Sequence, residues 1–392
     1  MPKYRIQSLI FILTTFMLGC NEYMIVGVLS DIHKDFGTSM SNLGILITAF
    51  ALTYAIATPL VSILTSKFKR HQVYFGLLAV FFVGNTWTAL ATNYLSLMGS
   101  RILTASTAGA ICSLTLTMTN FVVPQEKRAA TIAWVFAGFN IASVAGVPLG
   151  TFISTNWGWH ASYWLVDIIA AITISLLIFL VPRNTPQAIH KKDAANAGGV
   201  KDFMLDKRVI LTVSFIMAIC AAQFSFYTYI RPIITGQMGF SVSSLNLLLL
   251  ILGLMAIVGN NLGGWCADNG GVKVLPRLYV IMGIFLIIAG LTMKNLAVVS
   301  FICIAIVCIF NSSYGATVQV LMMDIASKES PAALDLASSL NPVFSNVGIS
   351  IGSFLAAQML HFTTVNNIVY LSAIFAFAGF GIIFQLKRIY SK

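Results

Sequence analysis

Three ionisable side chains, Glu22, Arg101 and Asp167, stand inside otherwise apolar stretches of this sequence. Such a group costs about 3 kcal/mol in a membrane span on insertion scales, so its presence points to work that an apolar residue cannot do. A carboxylate such as Glu22 can take up a proton in one environment and release it in another, which is the chemistry of coupling and not of bond cleavage. No His-Glu-x-x-His, no Gly-x-Ser-x-Gly and no cluster with metal-ligand spacing accompanies the three groups, so the chain does not read as an enzyme. No Gly-x-x-x-x-Gly-Lys-Ser/Thr loop is present either, and no cofactor or metal is expected.

The elements that must position these groups are membrane helices. Hydrophobic residues make up 58% of the 392 and charged residues only 9%. Apolar runs long enough to span a bilayer fall at 6–29, 42–64, 72–91, 97–122, 129–153, 162–182, 208–234, 242–265, 274–293, 297–323, 333–360 and 364–386. This predicts an all-α polytopic membrane protein with twelve transmembrane helices. All but Lys34, Arg101, Arg231 and Lys294 of the 23 Lys and Arg residues lie in every second gap or at the termini, so both termini are expected on the cytoplasmic side. The first run is too long for a signal-peptide core and reads as a permanent helix. The net charge of +11 is spread over short loops facing one leaflet, which fits a lipid bilayer as partner and not nucleic acid. Six cysteines lie in or at the ends of the spans, with no Cys-x-x-Cys pair, and read as packing residues.

Residues 183–207 hold the longest polar stretch, a cytoplasmic linker between two bundles of six spans, residues 1–182 and 208–392. Two halves of equal rank predict a parallel structural repeat. In span 5, Gly138, Ala142, Gly146 and Gly150 recur every four residues, and in span 11 Gly348, Gly352 and Ala356 do the same. Each series makes a smooth stripe against which another helix can close.

The turn after span 8 reads GGWCADNGGVK, with Gly264, Asp268, Gly271 and Lys273 at the spacing of a Gly-x-x-x-Asp-x-x-Gly-x-Lys motif. With the Gly146-x-Pro148-x-Gly150 segment of span 5 and Arg101 of span 4, it resembles the major facilitator superfamily. The first-half turn departs from that pattern, since Ser62 and Ser66 occupy the Gly and Asp positions while Lys67 and Arg70 keep the basic character. The stretches NEYMIVGVL (21–29), FFVGNTWTALATNY (81–94), WGWHASYW (157–164) and YTYIRPIITGQMGFS (227–241) make the chain similar to the twelve-span drug:proton antiporter branch, including sugar and purine efflux permeases. That resemblance implies the major facilitator fold, with two pseudo-symmetric six-helix bundles, in a bacterial cytoplasmic membrane. It further implies a monomeric secondary transporter that exports a small organic solute against protons, with the proton gradient as energy source. Uptake or facilitated diffusion on the same fold, and a membrane solute sensor, stand as the alternatives.

Within that frame Glu22 sits two thirds of the way along span 1 and Arg101 in the outer third of span 4, at comparable depth when the helices run antiparallel. Glu22, at the acidic position of the resembling exporters' motif, reads either as the proton and substrate site or as the structural ion-pair partner of Arg101. Asp167 is expected near the outer face, reaching water beside His160 or serving as an auxiliary proton site. Asn21 adjoins Glu22 as a further candidate to bind substrate. In span 7, Gln223, Tyr227 and Arg231 repeat at helical spacing, with Phe226 beside them. Spans 10 and 11 add Asn311, Tyr314, Asn341 and Asn346, whose buried amides and hydroxyls call for a hydrated cavity or interhelical bonds. Such a lining suits a partly hydroxylated or heteroaromatic solute, or a moderately apolar drug. Lys67, Arg70, Gly138, Gly146, Pro148, Gly150, Gly264 and Asp268 are the expected packing and gating positions, with Asp268 paired to Lys273 or Arg277.

Overall fold

A computed structural model describes residues 3–65, 67–181, 198–330 and 333–390. Of the expected linker, residues 183–197 therefore lie outside the described residues, as does Ser66 of the first-half turn. The rest is helical. Internal contacts divide the chain into two units, Met1–Ser39 with Ala49–His190, and Met40–Thr48 with Lys191–Lys392.

The first unit holds α1 (Lys3–Phe36), most of α2 (Met40–Thr65), α3 (Arg70–Ala89), α4 (Tyr94–Val122), α5 (Gln125–Trp157) and α6 (Trp159–Leu180). The second holds a short α7 (Gly198–Leu205), then α8 (Lys207–Tyr227), α9 (Ile230–Pro232), α10 (Val242–Asp268), α11 (Leu275–Thr292), α12 (Ala297–Ser312), α13 (Tyr314–Glu329), α14 (Leu334–Met359) and α15 (Val365–Tyr390). Eleven segments among the described residues are long and apolar enough to cross a membrane, with α12 and α13 forming one of them. The twelfth expected span is α3, a 20-residue helix whose last turns carry Asn85, Thr86 and Thr88 and so lower its apolar content.

Short polar caps start several helices, because the first backbone N–H groups of a helix have no partner within it. Asn93 accepts from Ser96 N at 2.9 Å to open α4, and Asp206 accepts from Arg208 N at 2.7 Å to open α8. Arg208 also binds Asp206 at 2.6 Å and reaches Glu329 at the end of α13, and its guanidinium holds the Asp206 carboxyl below the usual carboxylate range. The turn from α10 to α11 needs positive φ at Gly270 (118°) and Gly271 (52°), a region that only glycine enters without strain.

Packing within each unit follows one plan. In the first, α1 packs on α5 and α6, and α3 on α4 and α6; in the second, α8 packs on α14 and α15, and α11 on α12 and α15. First pairs with fifth and sixth, and third with fourth and sixth, in both halves, as a repeat requires. The glycine stripes sit in the matching interfaces. A Cβ on Gly138 would come within 2.4 Å of Ile12 O on α1, and one on Gly352 within 2.3 Å of Ala221 O on α8. Small residues there let the backbones meet at distances that no side chain permits. Gly150 also closes on Met24 of α1, whereas Gly146 meets its neighbours only at ordinary contact distance. Pro148 is buried within α5, where its missing N–H leaves the carbonyl of Val144 without its usual helical donor. All six cysteines are free thiols packed in or beside the cores.

In the turn motif after α10, the close approach belongs to the neighbour of the expected glycine. A Cβ on Gly263 would lie 2.4 Å from Ser313 O, whereas one on Gly264 would meet nothing within 4 Å. The helix face that meets α12 runs through Gly259 and Gly263, one turn apart, and Gly264 falls about 100° off it. Gly263→Ala is therefore expected to lower stability by about 2 kcal/mol, the range for overpacking a tight contact, while Gly264→Ala stays within about 0.5 kcal/mol of wild type. Thermal unfolding of the two purified variants in detergent checks the difference.

Candidate functional site

In the first unit, the polar groups expected from the sequence converge into one buried chain. Arg101, eight residues into α4, is 1% exposed. Its Nη1 donates to Asn21 O at 2.8 Å and to Asn21 Oδ1 at 3.0 Å. Its guanidinium also lies over the Phe50 ring, 4.2 Å from the centroid, with the Tyr163 ring at 5.9 Å. From Asn21 the chain continues: Asn21 Nδ2 donates to Asn85 Oδ1 at 2.5 Å, and Asn85 Nδ2 donates to Asp167 Oδ1 at 2.8 Å and to Tyr163 O at 3.0 Å. A cation on α4 is thus joined to a carboxyl on α6 through two amides, one on α1 and one on α3. Every donor in the chain faces away from the arginine, the arrangement in which successive hydrogen bonds polarise one another.

This geometry changes two readings. Asp167 is not at water: it is 4% exposed, about 12 Å along α6 from the helix start at 1.5 Å per residue. His160 does not assist it; its ring stacks on Trp159 with centroids 3.7 Å apart, and its Nε2 lies 3.1 Å from Ala91 O. Nor does Arg101 spend its hydrogen bonds on Glu22. Adjacent residues on a helix point about 100° apart, and α4 lies along the Asn21 face. Glu22 is partly exposed and makes no hydrogen bond among the described residues, yet it is within electrostatic reach of Arg101. Arg101 Nε and Nη2, Asp167 Oδ2 and the Tyr163 hydroxyl are buried and have no hydrogen-bond partner among the described residues.

Asn85 is the residue that the sequence reading passed over. Its signal was an amide in the middle of an apolar helix, which must find partners once buried.

The second unit builds its polar groups differently. Asn311 Nδ2 donates to Gln223 Oε1 at 2.6 Å, joining α12 to α8. The Tyr314 hydroxyl lies 3.2 Å from both Cys220 Sγ and Ser345 Oγ, and Ser345 Oγ donates to Asn341 Oδ1 at 3.2 Å. Asn346 instead turns its amide onto its own helix, at Pro342 O, 3.1 Å away. Phe226 is fully buried, and Tyr227 is edge-on to Phe224 and Phe226. Of the expected common face, Gln223 and Tyr227 share α8, whereas Arg231 lies beyond its end. α8 ends at Tyr227, and the chain continues through α9 and a wide turn at Ile233–Gln237 in which Met238 N reaches back five residues to Ile233 O. Pro232 has no N–H to give the carbonyl of Thr228, in keeping with a helix that ends at Tyr227.

At the turns, Lys67 is exposed and Arg70 lies over the Phe121 ring at 5.1 Å, on the wall of a cavity of about 140 Å³ shared with Ser62, Thr65 and Ser113. Asp268 is exposed and forms no ion pair with Lys273 or Arg277 among the described residues, since the Gly270–Gly271 turn carries the chain away from it. Asp324 pairs within its own helix with Lys328 at 2.8 Å.

Comparison with known proteins identifies the same architecture. The family model for the Major Facilitator Superfamily matches residues 11–352. The chain is 28% identical over 366 residues to YtbD, an uncharacterised MFS-type transporter of Bacillus subtilis strain 168, covering 90% of this chain and 88% of that one. It is 29% identical over 357 residues to YdhP, an inner membrane transport protein of Escherichia coli K12, covering 90% and 88%. Among solved structures, a bacterial homologue of the human lysosomal transporter Spinster, in an inward-facing and occupied conformation, aligns with a TM-score of 0.78 at 17% identity, covering 99% of this chain and 97% of the other. The D-xylose-proton symporter aligns at 0.72 and 16%, covering 95% and 97%. At these identities the structural likeness concerns the fold.

The buried chain makes a stability prediction of its own. Asn85→Leu strips Asp167 of its donor and leaves the Asn21 amide unmet, and should cost about 3 kcal/mol, the scale for orphaning buried polar and charged groups. Asp167→Asn keeps an acceptor oxygen for Asn85 and should cost less than half as much. Thermal unfolding in detergent, with both variants measured side by side, tests the order.

Proposed function

We propose that this chain, which belongs to the Major Facilitator Superfamily and is a secondary transporter and not an enzyme, is a proton-coupled antiporter that exports a small organic solute from a bacterial cell. The reading rests on one observation above others: Glu22 is a partly exposed carboxyl in mid-span that no hydrogen bond ties down, beside an arginine whose contacts lie elsewhere. A carboxyl hydrogen-bonded directly to Arg101 would have to break that bond before it could meet a solute. Glu22 is free to exchange a proton or to meet a solute, and each event alters the field at Arg101. Asp167, joined to the same arginine through Asn85 and Asn21, is the auxiliary proton site in this reading.

The solute-contacting groups we assign are Asn21, Glu22 and Arg101 in the first unit, and Gln223, Phe226, Tyr227, Asn311, Tyr314, Asn341 and Asn346 in the second. Their amides, hydroxyls and rings suit a neutral or weakly basic solute with several hydrogen-bonding groups, such as a sugar or a purine, or an apolar drug. The cytoplasmic placement of both termini follows from the clustering of Lys and Arg in alternate loops.

Reconstitution in liposomes with an internal pH dye tests the proposal against a panel of sugars, purines and drugs. Solute-evoked proton movement is expected in the wild type. In Glu22→Gln it should fall by at least about a hundredfold, as for the loss of an essential proton carrier, while solute exchange without a pH gradient persists. Solute flux indifferent to both the gradient and Glu22 would make the protein a facilitator.

A further inference from the structure

The first unit has a second feature that the transport chemistry does not use. Between the starts of α1 and α5 lies an open groove of about 410 Å³, lined by Tyr4, Arg5, Ser8, Leu9, Ile12, Lys127, Thr131 and Trp134. We propose that it is a binding site for an anionic phospholipid.

Its two ends differ in chemistry. On α1, Tyr4, Ser8 and Ile12 succeed one another at one helical turn each, as do Arg5 and Leu9; on α5, Lys127, Thr131 and Trp134 do the same. The cations therefore stand together at the helix starts. The apolar residues stand up to about 10 Å deeper, at 1.5 Å of rise per residue. Lys127 Nζ donates to the Tyr4 hydroxyl at 3.2 Å, which ties α5 to α1 across the groove and holds the ammonium at its mouth. Ser8 and Thr131 donate their hydroxyl protons to their own helices, at Tyr4 O (2.7 Å) and Lys127 O (2.9 Å), so the positive charge at the mouth comes from Arg5 and Lys127.

Leu9 is 58% exposed and Trp134 63% exposed, on helices long and apolar enough to cross a membrane. A free phosphate would be served by the cations and would leave this apolar wall without a purpose. A phospholipid matches both ends, with its anionic phosphate at Arg5 and Lys127 and an acyl chain along Leu9, Ile12 and Trp134. Tryptophan at the boundary and clustered cations at the cytoplasmic leaflet fit the same depth.

The full-length protein, purified from nanodiscs of equal phosphatidylglycerol and phosphatidylcholine, should retain the anionic lipid through repeated detergent washing, read by native mass spectrometry. In Arg5→Gln/Lys127→Gln the preference for phosphatidylglycerol should fall roughly tenfold, as expected for two surface cations, while in Lys69→Gln/Lys273→Gln it should not change. Trp134→Ala, which keeps both cations, should lower retention of long-chain phosphatidylglycerol, and this arm stands alone if the double variant does not fold. Inorganic phosphate should not displace the lipid. Retention unchanged in Arg5→Gln/Lys127→Gln or in Trp134→Ala, equal loss in the control pair, or displacement by phosphate alone would overturn the proposal.

Discussion

The burial of Arg101 is the constraint around which the first unit is arranged. A guanidinium withdrawn from water inside a membrane-spanning bundle must find its partners within the protein, because the lipid has none to give. Here the partners come as a sequence of side chains: Asn21 meets the cation, Asn85 meets Asn21, and Asp167 ends the chain with a carboxyl. Each link fixes the register of one more helix, so α1, α3, α4 and α6 are joined by one polar thread. The glycine contacts between α1 and α5 complete the arrangement by letting the helix that carries Asn21 and Glu22 seat closely against its neighbour.

The second unit shares the packing plan, and its buried cation, Arg231, lies beyond the end of α8. Its helices pair in the same order, and its stripe at Gly348 and Gly352 presses on α8 much as Gly138 presses on α1. Its polar contacts, Gln223 with Asn311 and the run from Cys220 through Tyr314 and Ser345 to Asn341, join neutral groups. The repeat has therefore conserved the way backbones approach while its polar interior has diverged.

What could be read from the sequence follows this division. Span positions and the paired glycine stripes were legible because they are written as composition and as period, which one chain displays along its own length. Of the alternatives that the sequence leaves open, the Glu22–Arg101 ion pair and the water-facing Asp167 are not formed, and Arg231 leaves the face of Gln223 and Tyr227, because each depends on a neighbour or a break that spacing does not reveal. Depth along the bilayer normal placed Glu22 level with Arg101, but rotation about α1 gave Asn21 to the arginine instead. Asn85 went unnoticed for the same reason: a lone amide in an apolar helix shows that a partner must exist, and only the fold shows which. Gly263 and Gly264 differ by one residue and 100° of rotation, a distinction that a motif pattern does not carry.

Under the proposed proton coupling, the separation of Glu22 from the thread has a physical consequence. Were Glu22 hydrogen-bonded to Arg101, any change in its charge would have to break that bond, and the energy of the buried pair would resist the step. With the arginine anchored to Asn21, a change of charge at Glu22 reaches Arg101 through the electric field alone, strengthened by the low-dielectric surroundings. The thread then responds by polarising along Asn21 and Asn85 toward Asp167, without any of its bonds being broken. The unmet capacity at Arg101 Nε and Nη2 and at Asp167 Oδ2 marks where that response has room to be taken up, by water or by a solute. A rigid arginine beside a free carboxyl is thus better suited to repeated proton exchange than a closed ion pair would be.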